Sequence, residues 1–254
     1  MHILAVSRGL AWRSLILVRR MPSVFLPSLI MPLFILIATA GAFRGISLLP
    51  QFAGASYLAF TIPLATVMGA GFAGINAGMT LARDIEGGFV DRLIASPAPR
   101  ITLILGPLMA AGARSLFTTT IVLTAGLIGG VGLPGVLQTV AIYLLAVGFS
   151  AATACWAMGV ALRARTIQAA PLMQVVVFLS VFTSVAYAPR EVLTGWLHQV
   201  ANVNPVTYLI EASRAAELQT LGWAELWPGI LAVLVLVTAL GTWALAGLAT
   251  LGKR

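Results

Sequence analysis

Two stretches of this sequence contain residues whose types and spacing could support chemistry. The first is Arg83-Asp84-Ile85-Glu86-Gly87-Gly88-Phe89-Val90-Asp91-Arg92, which runs on through Pro97 and Pro99 to Arg100. It holds three of the seven acids in the chain. The second is Asn204-Pro205-Val206-Thr207-Tyr208, followed by Glu211 and Arg214. Asp84 and Asp91 could serve as an acid pair for phosphotransfer, but the usual run of aspartates at three- to four-residue spacing is missing. His198 has only His2 as a fellow histidine and no Cys or acid at ligand spacing, which reads as a surface residue. No Ser/His/Asp constellation and no nucleophile elbow occurs. A Gly-x-x-x-x-Gly-Lys-Ser/Thr phosphate loop is absent, and the single lysine is Lys253. Cys155 is the only cysteine, which rules out an intrachain disulfide and a multi-cysteine metal site. Its apolar surroundings mark an inert buried thiol. These residues point away from catalysis on this chain.

The elements that must position them are membrane spans. Of the 254 residues, 60% are hydrophobic and 9% charged, and the mean hydropathy is +1.02. A spanning helix needs roughly 20 mainly apolar residues. Apolar stretches at 22–43, 56–82, 101–128, 137–161, 168–188 and 227–251 predict six spans and leave no room for a soluble domain of ordinary size. The fold class expected is an all-α membrane protein: a single transmembrane domain over 1–254, with an amphipathic interfacial helix at 1–20 and a short helical outer segment at 189–226. Ala38-Thr39-Ala40 resembles a signal-peptide cleavage site, but the apolar run continues from Met21 to Phe43, so the first span is expected to be retained. The Gly/Ala-rich run from Gly69 to Gly78 predicts close approach of a neighbouring helix. No internal repeat suggests an inverted-repeat transporter.

The net charge of +8 does not indicate nucleic acid, because the basic residues sit at span ends rather than in a patch interleaved with aromatics. They instead set orientation. With the N-terminus inside, the inner segments hold Arg8, Arg13, Arg19, Arg20, Arg83, Arg92, Arg100, Arg163, Arg165, Lys253 and Arg254. The outer segments hold only Arg44, Arg190 and Arg214. This bias places both termini in the cytoplasm; fourteen of the fifteen basic residues being Arg points to a bacterial, and hence inner-membrane, setting. At 100° per residue, Arg8 falls with Arg19 and Arg13 with Arg20, which suits a helix lying along the membrane surface.

Within the 83–100 segment, the sequence predicts a helix end, a flexible Gly87-Gly88 joint and a second short helix with Phe89, Leu93 and Ile94 on one side. Pro97 and Pro99 would stop that helix. In the outer segment, Asn204 reads as an N-cap and Pro205 as the first helical residue, with Glu211 and Arg214 three apart and able to pair. Arg114 lies within the third span. There it either faces a cavity as an anion contact or is bonded to backbone carbonyls, Ser115 or Thr118.

Two patterns resemble a known family. An acid and Gly after the second span, then Arg92-Leu93-Ile94-Ala95-Ser96-Pro97-Ala98-Pro99-Arg100, look like the Arg-Leu-x-x-x-Pro-x-x-Arg segment of ABC-2 type permeases, most closely the daunorubicin-resistance exporter permeases. Asn204, Pro205, Tyr208, Glu211 and Arg214 resemble the family's Asn-Pro-x-x-Tyr-x-x-Glu-x-x-Arg segment before the last span. The resemblance covers essentially the full length. It implies the permease subunit of an ATP-driven ABC exporter involved in multidrug efflux or antibiotic resistance. ATP and Mg²⁺ would bind two copies of a separate ATPase, and this chain would bind no cofactor. The permease would work as a dimer with a second copy or a sister permease, surrounded by membrane lipid.

On that resemblance the 83–100 segment is the coupling segment. Asp84, Glu86, Asp91 and Arg92 would be its contact charges, with Gly87, Pro97 and Arg100 completing the motif, and the N-terminal helix would be a second contact with the ATPase. The loop at 162–167, with Arg163 and Arg165, is a lesser candidate. The cargo would be an amphipathic drug or lipid, entering a cavity lined by spans one, two and five. Candidate lining residues are Met68, Phe72, Met79, Arg114, Phe178, Phe182 and Thr183. Two alternatives stay open: a polysaccharide or teichoic-acid exporter of the same superfamily, and a membrane scaffold without transport.

Overall fold

The computed structural model describes residues 2–20, 22–42, 56–249 and 251, with side chains omitted at His2, 17–20, 22–25 and 27–28. Arg44, Lys253 and Arg254 of the orientation count lie outside the described residues, as do the side chains of Arg19 and Arg20. The described chain forms ten α-helices: α1 (His2–Arg20), α2 (Pro22–Ala42), α3 (Tyr57–Glu86), α4 (Phe89–Ile94), α5 (Thr102–Ile128), α6 (Val136–Ala164), α7 (Ala170–Phe182), α8 (Gly195–Val203), α9 (Pro205–Glu217) and α10 (Trp223–Ala249). No strand occurs among the described residues. This is an all-α membrane protein.

α3, α5, α6 and α10 are each long and apolar enough to cross a bilayer. At 1.5 Å per residue they extend about 40 Å, more than the roughly 30 Å hydrocarbon core. α3 is the central post, buried along nearly all of its most apolar stretch, whereas α10 leaves most of its apolar stretch exposed. The small residues between Gly69 and Gly78 explain the difference. A Cβ on Gly78 would stand 2.6 Å from the Ala157 carbonyl oxygen, so only glycine lets α6 lie this close. Ser56 caps the start of α3 by accepting from the Ala59 N–H.

α1 packs on the start of α5, burying Ser7, Ala11 and Ser14 and leaving Arg8 exposed. That one-sided burial, one residue per turn, is the pattern of a surface helix.

α7 is shorter than the 168–188 span expected from hydropathy. It is preceded by a 3₁₀ turn at Ile167–Ala169 and ends at Phe182. Apolar helix from Ile167 to Phe182 covers about 24 Å, short of the hydrocarbon thickness. The reason is competition for backbone groups. The Thr183 and Ser184 hydroxyls donate back to the Leu179 and Val181 carbonyls. The Ser184 N–H turns to Val181 O, and Ser180 O, its partner in a continuing helix, accepts instead from Asn204.

Candidate functional site: a bundle clamped at both ends

At one end of the bundle, α3 stops at Glu86 and the chain turns through Gly87 and Gly88. Gly88 has φ +66°, a left-handed conformation that a side chain would strain, and it places α4 directly after the turn. α4 ends at Ile94, before Pro97 and Pro99 are reached; Val90 is buried under it. Arg13 of α1 grips Asp84 in a two-point ion pair, Nη1 to Oδ2 at 2.7 Å and Nη2 to Oδ1 at 2.6 Å. Its guanidinium also lies 4.1 Å from the centroid of the Phe89 ring in α4. Glu86 Oε1 accepts from the Thr166 hydroxyl at 2.7 Å and from the Ile167 N–H at 2.9 Å, both just before α7. These two donors hold the Glu86 carboxyl below its ordinary pKa.

The four charges of the expected coupling segment are therefore divided. Asp84 and Glu86 bind this chain's own α1 and α6–α7 loop. Asp91 and Arg92 project from α4, exposed and without an ion pair among the described residues. Gly87, Pro97 and Arg100 are also exposed. Sequence reasoning missed Arg13 and Thr166 as partners. The available signal was scarcity: with so few acids and so many arginines, Asp84 was bound to find a cation on the same side of the membrane.

At the opposite end, every residue of the second motif holds α9 or the turn after α7. Asn204 Oδ1 accepts from the Val206 N–H at 3.0 Å, the expected N-cap, with Pro205 in the first turn. Its Nδ2 donates to Ser180 O at 2.6 Å and to Thr183 Oγ1 at 3.1 Å. The Tyr208 hydroxyl donates to Asn202 O at 2.7 Å, tying α9 to the end of α8.

Glu211 and Arg214 do not pair with each other. Glu211 is taken by Arg190, Nε at 3.0 Å and Nη2 at 2.7 Å. Arg214 turns inward instead, donating from Nη2 to Val185 O at 2.9 Å and lying 3.7 Å from the Phe60 ring centroid of α3. The correction has a positional cause: the turn after α7 brings Arg190 onto the exposed side of α9 and the Val185 and Ala186 carbonyls onto its buried side. The Tyr57 hydroxyl reinforces this joint by donating to Tyr187 O at 3.1 Å. Glu217, overlooked in the sequence, is 5% exposed, and its Oε2 has no hydrogen-bond partner among the described residues. Burial pushes its carboxyl up to about 7.

Between the two ends, the candidate lining residues separate. Met68 and Phe72 of α3 meet Phe178 of α7, with Phe72 and Phe178 edge-on at 5.4 Å. Phe178, Phe182 and Tyr187 continue as a stacked stripe. The space enclosed by Met68, Phe72 and Phe178 with their neighbours is only about 10 Å³, too small for an organic ligand. Thr183 faces a more open hollow of about 530 Å³ between α7 and α8. Met79 packs against the core nearer α4. Arg114 lies on α5, 5% exposed, with Nε and Nη2 unpartnered among the described residues; of the partners offered for it, the Ser115 hydroxyl is likewise unpaired among them.

A profile of the ABC-2 type transporter family matches residues 7–218, which includes both clamped ends and all but the last span. The chain belongs to the ABC-2 type transporter family. It is 28% identical over 82% of its length to the ycf38 transport permease of Pyropia yezoensis, covering 72% of that protein. It is 25% identical over 84% of its length to the daunorubicin resistance ABC transporter permease DrrB1 of Streptomyces coeruleorubidus, covering 75% of it. A ycf38 transport permease of Cyanophora paradoxa is 25% identical over 80% of the chain. Chains of this family are the transmembrane component of ABC transporters and work with an ATP-binding subunit. In this ABC-2 permease, the exposed face of α4 and the clamped turn after α7 stand at opposite ends of the same bundle.

Proposed function

We propose that this chain is the permease of an ABC exporter that moves an amphipathic drug or lipid outward, driven by a separate ATPase seated on α4. The α4 end is cytoplasmic and the α9 end external, in line with the arginine bias. ATP and Mg²⁺ bind the ATPase, present in two copies. Asp91 and Arg92 are its contact charges, with Arg100 beside them. Two permease copies, or one and a sister chain, meet through α2 and α7. There Phe34 and Ile37 of α2 and Val175 and Leu179 of α7 are exposed, and the Phe178–Phe182 stripe supplies the cargo surface.

The observation that carries this reading is the double attachment of α7. Glu86 fastens the coupling segment to the loop leading into α7, and Asn204 and Arg214 fasten the other end of α7 to the outer helices. A push on α4 reaches the outer segment through one short helix.

The test uses inside-out vesicles containing the permease and its ATPase, with daunorubicin, the compound named for one relative, as permeant. Glu86→Gln weakens the acceptor for Thr166 and Ile167; it should assemble and hydrolyse ATP while losing most daunorubicin uptake. A charge reversal of Asp91 and Arg92 together should abolish ATPase binding. Normal assembly of that double variant would sink the docking assignment, and normal uptake by Glu86→Gln would sink the α7 linkage.

A further inference from the structure

One arginine on the outside of the bundle is unused by the transport scheme. Arg163 closes α6 at the α4 end. Its Nη1 donates to Gly159 O at 2.8 Å and its Nη2 to Trp243 O of α10 at 3.0 Å. The guanidinium lies 3.5 Å from the centroid of the Trp243 ring, on which Trp156 also stacks, with 6.1 Å between ring centroids. Two glycines make room for this arrangement. A Cβ on Gly247 would stand 2.8 Å from Arg163 Nη1, and one on Gly159 would overlap the Trp243 indole. The site is therefore built by the fold rather than formed by a side chain wandering on the surface.

Its electrostatics are unfinished. Both acceptors are neutral carbonyls, and Arg163 has no carboxylate partner among the described residues. A guanidinium carries five N–H donors, and these two bonds leave three. The side chain remains exposed, and so does Trp243, on the seam between α6 and α10, the least buried of the long helices. Arg and Trp together at a helix end mark headgroup depth. A guanidinium held against an indole is already oriented for two-point bonding to an anionic oxygen pair.

We propose that Arg163, backed by Trp243, binds the phosphate of a phospholipid in the leaflet on the α4 side, with the acyl chains lying along the α6–α10 seam. This rests on the membrane placement of the chain and not on the transport reading, so either can fail alone.

Native mass spectrometry of the delipidated chain, titrated with dioleoylphosphatidylglycerol, tests it. The wild type should take up one tightly held lipid, and Arg163→Gln should need about tenfold more lipid for the same occupancy, the scale of losing a charge-assisted bond. Arg163→Lys should fall between, because it keeps the charge and loses the fork. Should Arg163→Gln fail to purify folded, Trp243→Leu removes the platform while keeping the guanidinium, and should weaken binding likewise. Equal occupancy in wild type and variant would overturn the site. So would displacement of the lipid by millimolar inorganic phosphate, which would identify a free anion as the ligand.

Discussion

The two ends of α7 are fastened by bonds of different kinds. At the α9 end the fasteners are buried or half-buried: Arg214 is 9% exposed, its guanidinium covers the Phe60 ring, and it supplies the donor that Val185 O would otherwise lack. At the α4 end Glu86 is exposed, and so are its bonds to Thr166 and Ile167. Breaking a buried bond strands a polar group in an apolar setting, whereas an exposed bond exchanges readily with solvent. The contrast makes the α9 end the firmer joint and the α4 end the looser one.

The largest effect that can break this contrast comes from Arg214→Leu. Losing a buried hydrogen bond together with a cation–π contact should cost about 3 kcal/mol, read by denaturant unfolding of the purified chain. Glu86→Gln in the same assay should leave stability nearly unchanged. Equal losses in the two variants would erase the distinction between the joints.

An intermediate effect should appear in pH dependence. The buried Glu217 carboxyl has its pKa raised from 4.5 to about 7, so the folded state holds a proton that the unfolded chain releases. The neutral form suits the fold, and stability should decline as pH rises from about 4.5 through about 7. The melting temperature should therefore fall between pH 5 and pH 8, and Glu217→Gln should flatten that fall. A wild-type profile that is already flat would remove Glu217 from the account of the rigid end. The smallest effect belongs to the pair between Arg13 and Asp84, whose side chains are 37% and 17% exposed. A double-mutant cycle to alanine should give a coupling energy of about 0.5–1 kcal/mol. A much larger coupling would make the α4 end as firmly fixed as the other.

How much of this was readable beforehand depended on how local each feature is. The Asn204 cap, the Pro205 start and the Gly87-Gly88 turn were legible because each involves groups within a few residues. The pairing of Glu211 was not. Position along α9 permitted Arg214 as its partner, but the turn after α7 delivered Arg190 at bidentate distance and two open carbonyls for Arg214. α7 is shorter than hydropathy suggests for a related reason, since hydropathy counts apolar side chains and does not see Asn204 taking the Ser180 carbonyl or Arg214 that of Val185 just beyond the helix. The sequence does not reveal which residues line a cavity, because a span apolar on all sides carries no periodic signal. Of the candidate set, Met68, Phe72, Phe178 and Phe182 came together, while Met79, Arg114 and Thr183 lie elsewhere.

By itself, the sequence determined that the chain is helical and membrane-bound, where most of its long helices run, and which charged segments stand outside the spans. Apolar length and charge placement are one-dimensional properties, and the bilayer reads them directly. Only the tertiary structure decided that Asp84 and Glu86 fasten the chain to itself while Asp91 and Arg92 remain outside. It likewise decided that Arg214 points inward and that Arg163 lies on Trp243. These choices depend on which helices meet at which depth, and side chains distant in sequence compete there for the same few donors and acceptors.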